Sequence, residues 1–129
     1  MTWIKISKLY HVYTGQRKNW TPTSKVVTPE LNDVDKYGAG FYFTPNIEIA
    51  KQYAGETGSV YEADLNIENP LTPRMKDWLQ FVQKGNATMK LDFLKRKGYD
   101  GIVDIQDKYK QIVVLDPAQI TNLRVYELD

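Results

Sequence analysis

The chain of 129 residues contains no cysteine. Disulfides, thiolate metal sites and a cysteine nucleophile are therefore excluded. It has one histidine, His11, and no His/Asp/Glu grouping at metal-ligand spacing, which argues against zinc chemistry. Charge of one sign is missing as well. Seventeen Lys and Arg stand against sixteen Asp and Glu, a net charge of +1. No global field points to nucleic acid or to a membrane surface. No apolar run approaches the roughly 18 residues of a membrane span. Residues 1–8 lack the apolar segment of a secretory signal, and a cytoplasmic setting is the expectation. There is no Walker A loop and no nucleophile elbow. Gly38-Ala39-Gly40 lacks a third glycine and leads into a strand, which rejects a dinucleotide fingerprint.

What is present is ordinary in bulk and unusual in detail. A composition of 42% hydrophobic and 26% charged residues fits a soluble globular chain. The length suits one domain, spanning 1–129. Nine tyrosines is a high count, and tyrosine suits both sheets and ligand walls.

The most distinctive stretch is Tyr37-Gly38-Ala39-Gly40-Phe41-Tyr42-Phe43-Thr44. If extended, it points Tyr42 opposite to its two phenylalanine neighbours. A helix follows, with Thr44 as cap, Pro45 at its first position and Gly55 as its stop. Before this stretch, Leu9 to Tyr13 reads as a strand and Thr14-Gly15 as a turn. Residues 16–36 are polar and aperiodic, the profile of a functional loop, with a short strand expected at Lys25-Val26-Val27. After it, Ser59 to Ile67 alternates as a half-buried strand ended by Asn69-Pro70. Thr72-Pro73 opens a second helix, and residues 86–97 form a third with Gly98 behind it. Strands follow at residues 102–105, 111–115 and 122–128. The order predicts an α+β domain with mixed or antiparallel sheets. Asp104 and Asp107 read as solvated charges at a turn. Arg74, Lys76, Lys84, Lys90, Lys95, Arg96 and Lys97 read as helix-surface charges.

Three segments in this order carry a resemblance: Leu9-Tyr10-His11, then Gly38-x-Gly40-Phe41-Tyr42-Phe43-Thr44 with Ala50 and Tyr53, then Gln111-Ile112-Val113-Val114. They resemble the signature segments of the ADP-ribosyltransferase superfamily. The closer similarity is to the diphtheria-toxin and poly(ADP-ribose) polymerase branch with its His-Tyr-Glu triad. Among its members, the small bacterial and phage proteins, including those within polyvalent proteins, look most similar. Leu65-Asn66-Ile67-Glu68-Asn69-Pro70-Leu71, Gly98-Tyr99-Asp100-Gly101-Ile102-Val103 and Val114-Leu115-Asp116-Pro117-Ala118-Gln119-Ile120 add to the likeness, which runs from Lys8 to Leu123.

The resemblance implies a single-domain ADP-ribosyltransferase-like fold, a split mixed β-sheet with flanking helices. It implies NAD⁺ as co-substrate, and a mono-ADP-ribosyltransferase that moves ADP-ribose to a macromolecular acceptor, a protein first and a nucleic acid second. A phage or toxin-type effector, a monomer without membrane attachment, is the implied setting. Carried over by position, His11 would bond the adenosine-side ribose. The backbone of Val12, glycine in many members, would bond the nicotinamide amide. Tyr42 would stack on nicotinamide and Tyr53 would complete the sandwich. Arg17 and Lys18 would meet the pyrophosphate, and Trp20 could stack on adenine.

Gln111 departs from the pattern, since it stands where the triad glutamate is expected. Glutamine can bond the ribose hydroxyl but lacks the negative charge. Loss of such a contact costs about 100-fold in rate. Three readings stay open: slow transfer by His11, Tyr42 and Gln111; charge from another acid such as Asp104 or Asp107; or an inactivating substitution. The rival functions are a catalytically impaired binding or inhibitor module and an NAD⁺ glycohydrolase.

Overall fold

The computed structural model describes residues 9–22, 37, 40–106, 108 and 110–126. The expected strands at residues 3–6 and 25–27, the glycine-flanking residues 38 and 39, and Asp107 and Tyr109 lie outside them. The chain is α+β, with two sheets that meet edge to edge at one point.

Strand β1 (Leu9–Gln16) pairs antiparallel with β3 (Ser59–Asn66) through all eight residues, from Leu9 opposite Asn66 to Gln16 opposite Ser59. β3 pairs on its other edge with β7 (Ile120–Val125), also antiparallel. The second sheet runs in the order β2 (Phe41–Phe43), β6 (Gln111–Val114), β5 (Gly101–Asp104), β4 (Pro70–Leu71). β4 is parallel to β5, and the other pairs are antiparallel, so this sheet is mixed.

Alternation along these strands divides the interior into two layers. Val12, Ala63 and Leu65 of the first sheet, with Ile67 just beyond β3, meet Phe43, Val103, Ile112 and Val114 of the second. The opposite face of the second sheet presents Ile102, Val113 and, partly buried, Tyr42. Helices α2 (Trp78–Val82) and α3 (Ala87–Lys97) cover that face with Phe81, Phe93 and Leu94. β2 thus separates its side chains as the alternation predicts: Phe41 and Phe43 toward one layer, Tyr42 toward the other.

Helix α1 (Ile47–Ala54) lies against β1. Its cap is Asn46, whose side chain accepts from the backbone N–H of Glu48 and Ile49; the expected cap was Thr44. Thr44 instead lies at the junction of the sheets. Its N–H donates to the Tyr13 carbonyl at 2.8 Å, and the Tyr13 N–H donates to the Thr44 carbonyl at 2.7 Å. This bridge holds β1 against β2 where the two sheets diverge.

Several boundaries move for identifiable reasons. Thr14-Gly15 is strand interior, not a turn, because the β3 ladder continues past it to Gln16. A Cβ on Gly15 would lie 2.0 Å from the Ala50 carbonyl oxygen and 2.5 Å from the Ala54 nitrogen, so glycine here permits backbone-to-backbone contact with α1. Pro70-Leu71 is a short edge strand, and α2 starts only at Trp78. β7 begins two residues before its expected start, at Ile120. Asp104 is buried, 4% exposed, which overturns the reading of a solvated turn charge.

The three segments that extended the resemblance meet each other near the start of β1, where Leu9 pairs with Asn66. The Asp100 carboxylate accepts from the N–H groups of Glu68 and Asn69 at 2.9 and 2.8 Å. The Gln119 amide donates to the carbonyls of Asn66 and Asp100, while its oxygen accepts from Leu115 and Asp116 N–H. This hub pins both chain reversals that feed β4, β5 and β7. Its role is to fix sheet geometry.

Candidate active site

A cavity of about 230 Å³ opens where the sheets diverge. Tyr42 and Phe43 come to it from β2, Ile49, Ala50 and Tyr53 from α1, and Gln111 from the start of β6. Residues 13–16 form its floor along β1, and Thr44 closes the junction. No Asp, Glu, Lys, Arg or His is among these lining residues.

Each wall has a local cause. Gly40 adopts φ 153°, a conformation that side chains rarely take, and a Cβ there would meet Val113 Cγ1 at 2.5 Å. Glycine therefore lets β2 seat directly on β6. Tyr42 is then fixed by its phenol oxygen, which accepts the Tyr37 N–H at 3.1 Å. Its ring stacks on that of Tyr37, with centroids 6.2 Å apart and planes 28° apart. Tyr53, on α1, is 56% exposed, so its ring forms an outer wall that faces both cavity and solvent. Thr14 is 4% exposed, and its hydroxyl accepts from the Gln16 amide at 2.9 Å. Gln111 follows Lys110, whose φ of 47° turns the chain into the strand.

Of the residues expected here, Tyr42, Tyr53 and Gln111 are brought together, although they come from three distant stretches of chain. His11, Val12 and Arg17 are not among the lining residues. Val12 is fully buried in the core between the sheets. Arg17 is exposed beyond the end of β1. His11 lies on the outer face of the first sheet, its Nδ1 2.9 Å from Asp64 Oδ1 and its Nε2 3.1 Å from Glu62 Oε2. Trp20 packs edge-on to Phe43 and Tyr61, 6.4 and 5.5 Å between centroids, and joins the core.

Thr14, Gly15 and Gln16 are the residues that sequence reasoning passed over. Their signal was available. A close-approach glycine is what the resemblance calls for next to the strand residue, and Gly15 is the glycine of that strand, three positions after Val12. Reading Thr14-Gly15 as a turn hid it.

Two sheets split around a tyrosine-walled cavity, with α1 against the first and α2 and α3 against the second, make an α+β chain consistent with the ADP-ribosyltransferase type. The family model described as ADP-ribosyltransferase in polyvalent proteins matches residues 8–124, and the chain belongs to that family. No curated protein and no solved structure matches it. Among the described residues, no helix is long and apolar enough to cross a membrane.

Proposed function

We propose that the chain is a mono-ADP-ribosyltransferase that holds the nicotinamide end of NAD⁺ in the cavity at the sheet junction. The observation that carries this reading is the meeting of Tyr42, Tyr53 and Gln111 on one uncharged cavity. Two tyrosines can grip a planar ring, and the polar groups around them set its orientation. The backbone of Gly15 and the side chains of Thr14 and Gln16 take the place along β1 that His11 and Val12 were expected to hold. Gln111 accepts the nicotinamide-ribose hydroxyl.

The bond that breaks joins ribose C1′ to the nicotinamide nitrogen, and its electron pair leaves with nicotinamide. A nucleophilic atom of the acceptor then bonds C1′ and releases its proton. The acceptor is a macromolecule, protein before nucleic acid. The protein acts as a monomer in the cytoplasm, that of the host cell if the gene is carried by a phage.

Calorimetric titration with NAD⁺, followed by incubation with labelled NAD⁺ and cell lysate, tests this. Tyr42→Ala should weaken NAD⁺ binding by at least about 10-fold, the loss of one aromatic stacking partner. Unchanged affinity in that variant sinks the site. The lack of a carboxylate on the cavity wall favours one second reading, a binding or inhibitor module that holds NAD⁺ without turnover. That module would give NAD⁺ binding but no labelled macromolecule and no free nicotinamide. Nicotinamide release without label would instead show a glycohydrolase, in which water is the acceptor.

A further inference from the structure

The cavity wall lacks negative charge, yet a carboxylate is buried one strand away. Asp104 ends β5 directly opposite Gln111 on β6. Directly opposed residues of an antiparallel pair share a face, with Cβ atoms roughly 4.5–5.5 Å apart. The same face carries Val113, opposite Tyr42 of β2. Burying a carboxylate is unfavourable unless it is bonded. Asp104 is bonded by the Tyr37 hydroxyl, which donates to Oδ2. Tyr37 is itself 1% exposed, and its N–H donates to the phenol oxygen of Tyr42. A continuous buried path thus runs from Asp104 through Tyr37 to the Tyr42 wall, and a second, shorter step runs across the strand pair to Gln111.

We propose that Asp104 is a positioning residue that works through Gln111 and gives the reaction the negative charge its cavity wall lacks. The assignment of NAD⁺ to the cavity underlies this step. In the complex with NAD⁺, the Gln111 amide N–H donates to the Asp104 carboxylate, and Gln111 Oε1 accepts the ribose hydroxyl. A carboxylate has about four acceptor positions, so the Tyr37 phenol and the amide can be served together. The charge stands near the ribose while C1′ becomes positive and the nicotinamide nitrogen takes the bonding pair. Asp104 neither gains nor loses a proton, and the proton released at the end comes from the attacking nucleophile. Such preorganised charge acts strongly in a site of low dielectric. Aspartate and glutamine on facing strands would thereby share the work of one glutamate.

The bland alternative makes Asp104 a structural anchor for the Tyr37 hydroxyl. Asp104→Asn separates the two, because its Oδ1 still accepts from Tyr37 while the charge is gone. NAD⁺ affinity by calorimetry and single-turnover nicotinamide release are measured on purified protein. Asp104→Asn should slow release by about 30-fold while NAD⁺ affinity stays within about 3-fold. In the same variant, Gln111→Glu should restore most of the rate by placing the charge directly on the ribose. A rate for Asp104→Asn within about 2-fold of the parent overturns the proposal, as does a double variant no faster than Asp104→Asn.

Gln111→Glu alone gives a test that does not depend on Asp104→Asn folding. Opposed carboxylates resist joint ionisation, so that variant should gain less than about 3-fold. A gain of about 30-fold or more would mean that the parent site had no charge, and would overturn the assignment of Asp104. NAD⁺ binding without any nicotinamide release from the parent protein overturns it too. Failure of the parent to bind NAD⁺ at all is a different result, and it removes the cavity reading beneath.

Discussion

Strand β1 carries two unlike surfaces a few residues apart. At its C-terminal end, Thr14, Gly15 and Gln16 floor an uncharged cavity of tyrosines and amides. Near its start, His11 belongs to an ionic cluster on the outer face of the same sheet. Glu62 accepts there from Arg124 Nε at 2.8 Å and faces His11 Nε2. Asp64 accepts from Asn122 Nδ2 at 2.9 Å and faces His11 Nδ1. The register shift between β3 and β7 and the left-handed φ of 54° at Asn122 bring that amide to Asp64, in a conformation asparagine tolerates. The residue types associated with catalysis gather on the outer face, while the cavity is built from tyrosine, threonine, glycine and glutamine. Strand parity explains the separation only in part, because Tyr13 shares the face of His11, meets its ring edge-on at 5.4 Å and also lines the cavity. His11 is an odd number of positions from Thr14, so the two point to opposite faces of the sheet.

The difference can be broken hardest at Gly15. Valine there would drive its side chain into the backbone of α1 at Ala50 and Ala54. Backbone atoms cannot rotate away, so the helix must shift. Gly15→Val is expected to destabilise the fold by about 3 kcal/mol, the upper range for overpacking, and to abolish NAD⁺ binding by displacing Tyr53. Thermal melts and calorimetry read both effects. Wild-type stability with retained binding would show that α1 is not seated on β1 as described.

His11→Ala sharpens the comparison from the other side. The His11 side chain is 47% exposed and its two carboxylate partners are partly solvated. Its loss should cost no more than about 1 kcal/mol of stability, as for other exposed ion pairs. NAD⁺ affinity should stay within about 3-fold of the parent, since His11 touches the cavity at one remove, through the Tyr13 ring that it meets edge-on at 5.4 Å. A loss comparable to that of Tyr42→Ala would return His11 to the site and refute the placement along residues 14–16.

Much of this molecule was legible in the sequence, and the exceptions share a physical origin. The alternation of β2, the existence of all three helices and the strands β3, β5, β6 and β7 follow from short-range pattern, which a local reading captures. So does the convergence of Tyr42, Tyr53 and Gln111, because one strand-helix unit and one short apolar strand set it. What escaped depended on pairing over long sequence separations. Thr14-Gly15 has turn chemistry, but eight cross-strand pairs with residues 59–66 hold it extended. Asp104 has the character of a turn residue, but the Tyr37 hydroxyl and the β5–β6 ladder keep it inside. Trp20 follows an aperiodic start to the loop, and only the fold brings Phe43 and Tyr61 to it.

The smallest effect lies in the pH response of the outer face. Hydrogen bonding from Asn122 and then from His11 holds the Asp64 carboxyl below its ordinary value of 3.8. A carboxyl whose folded pKa is depressed binds fewer protons in the folded chain than in the unfolded chain across that interval. Its contribution to stability is therefore complete above the ordinary value and disappears as pH falls through the lower, folded value. Asp64→Asn removes this titration. The parent protein should lose stability more steeply than Asp64→Asn between about pH 5 and pH 2, with the two curves parallel above that interval. Denaturant melts at a series of pH values give the two slopes. Because the cavity wall has no ionised group in contact with this cluster, NAD⁺ affinity near neutral pH should be the same in both proteins. A change in affinity on Asp64→Asn would show that the cluster acts on the cavity through Tyr13, which borders both surfaces of β1.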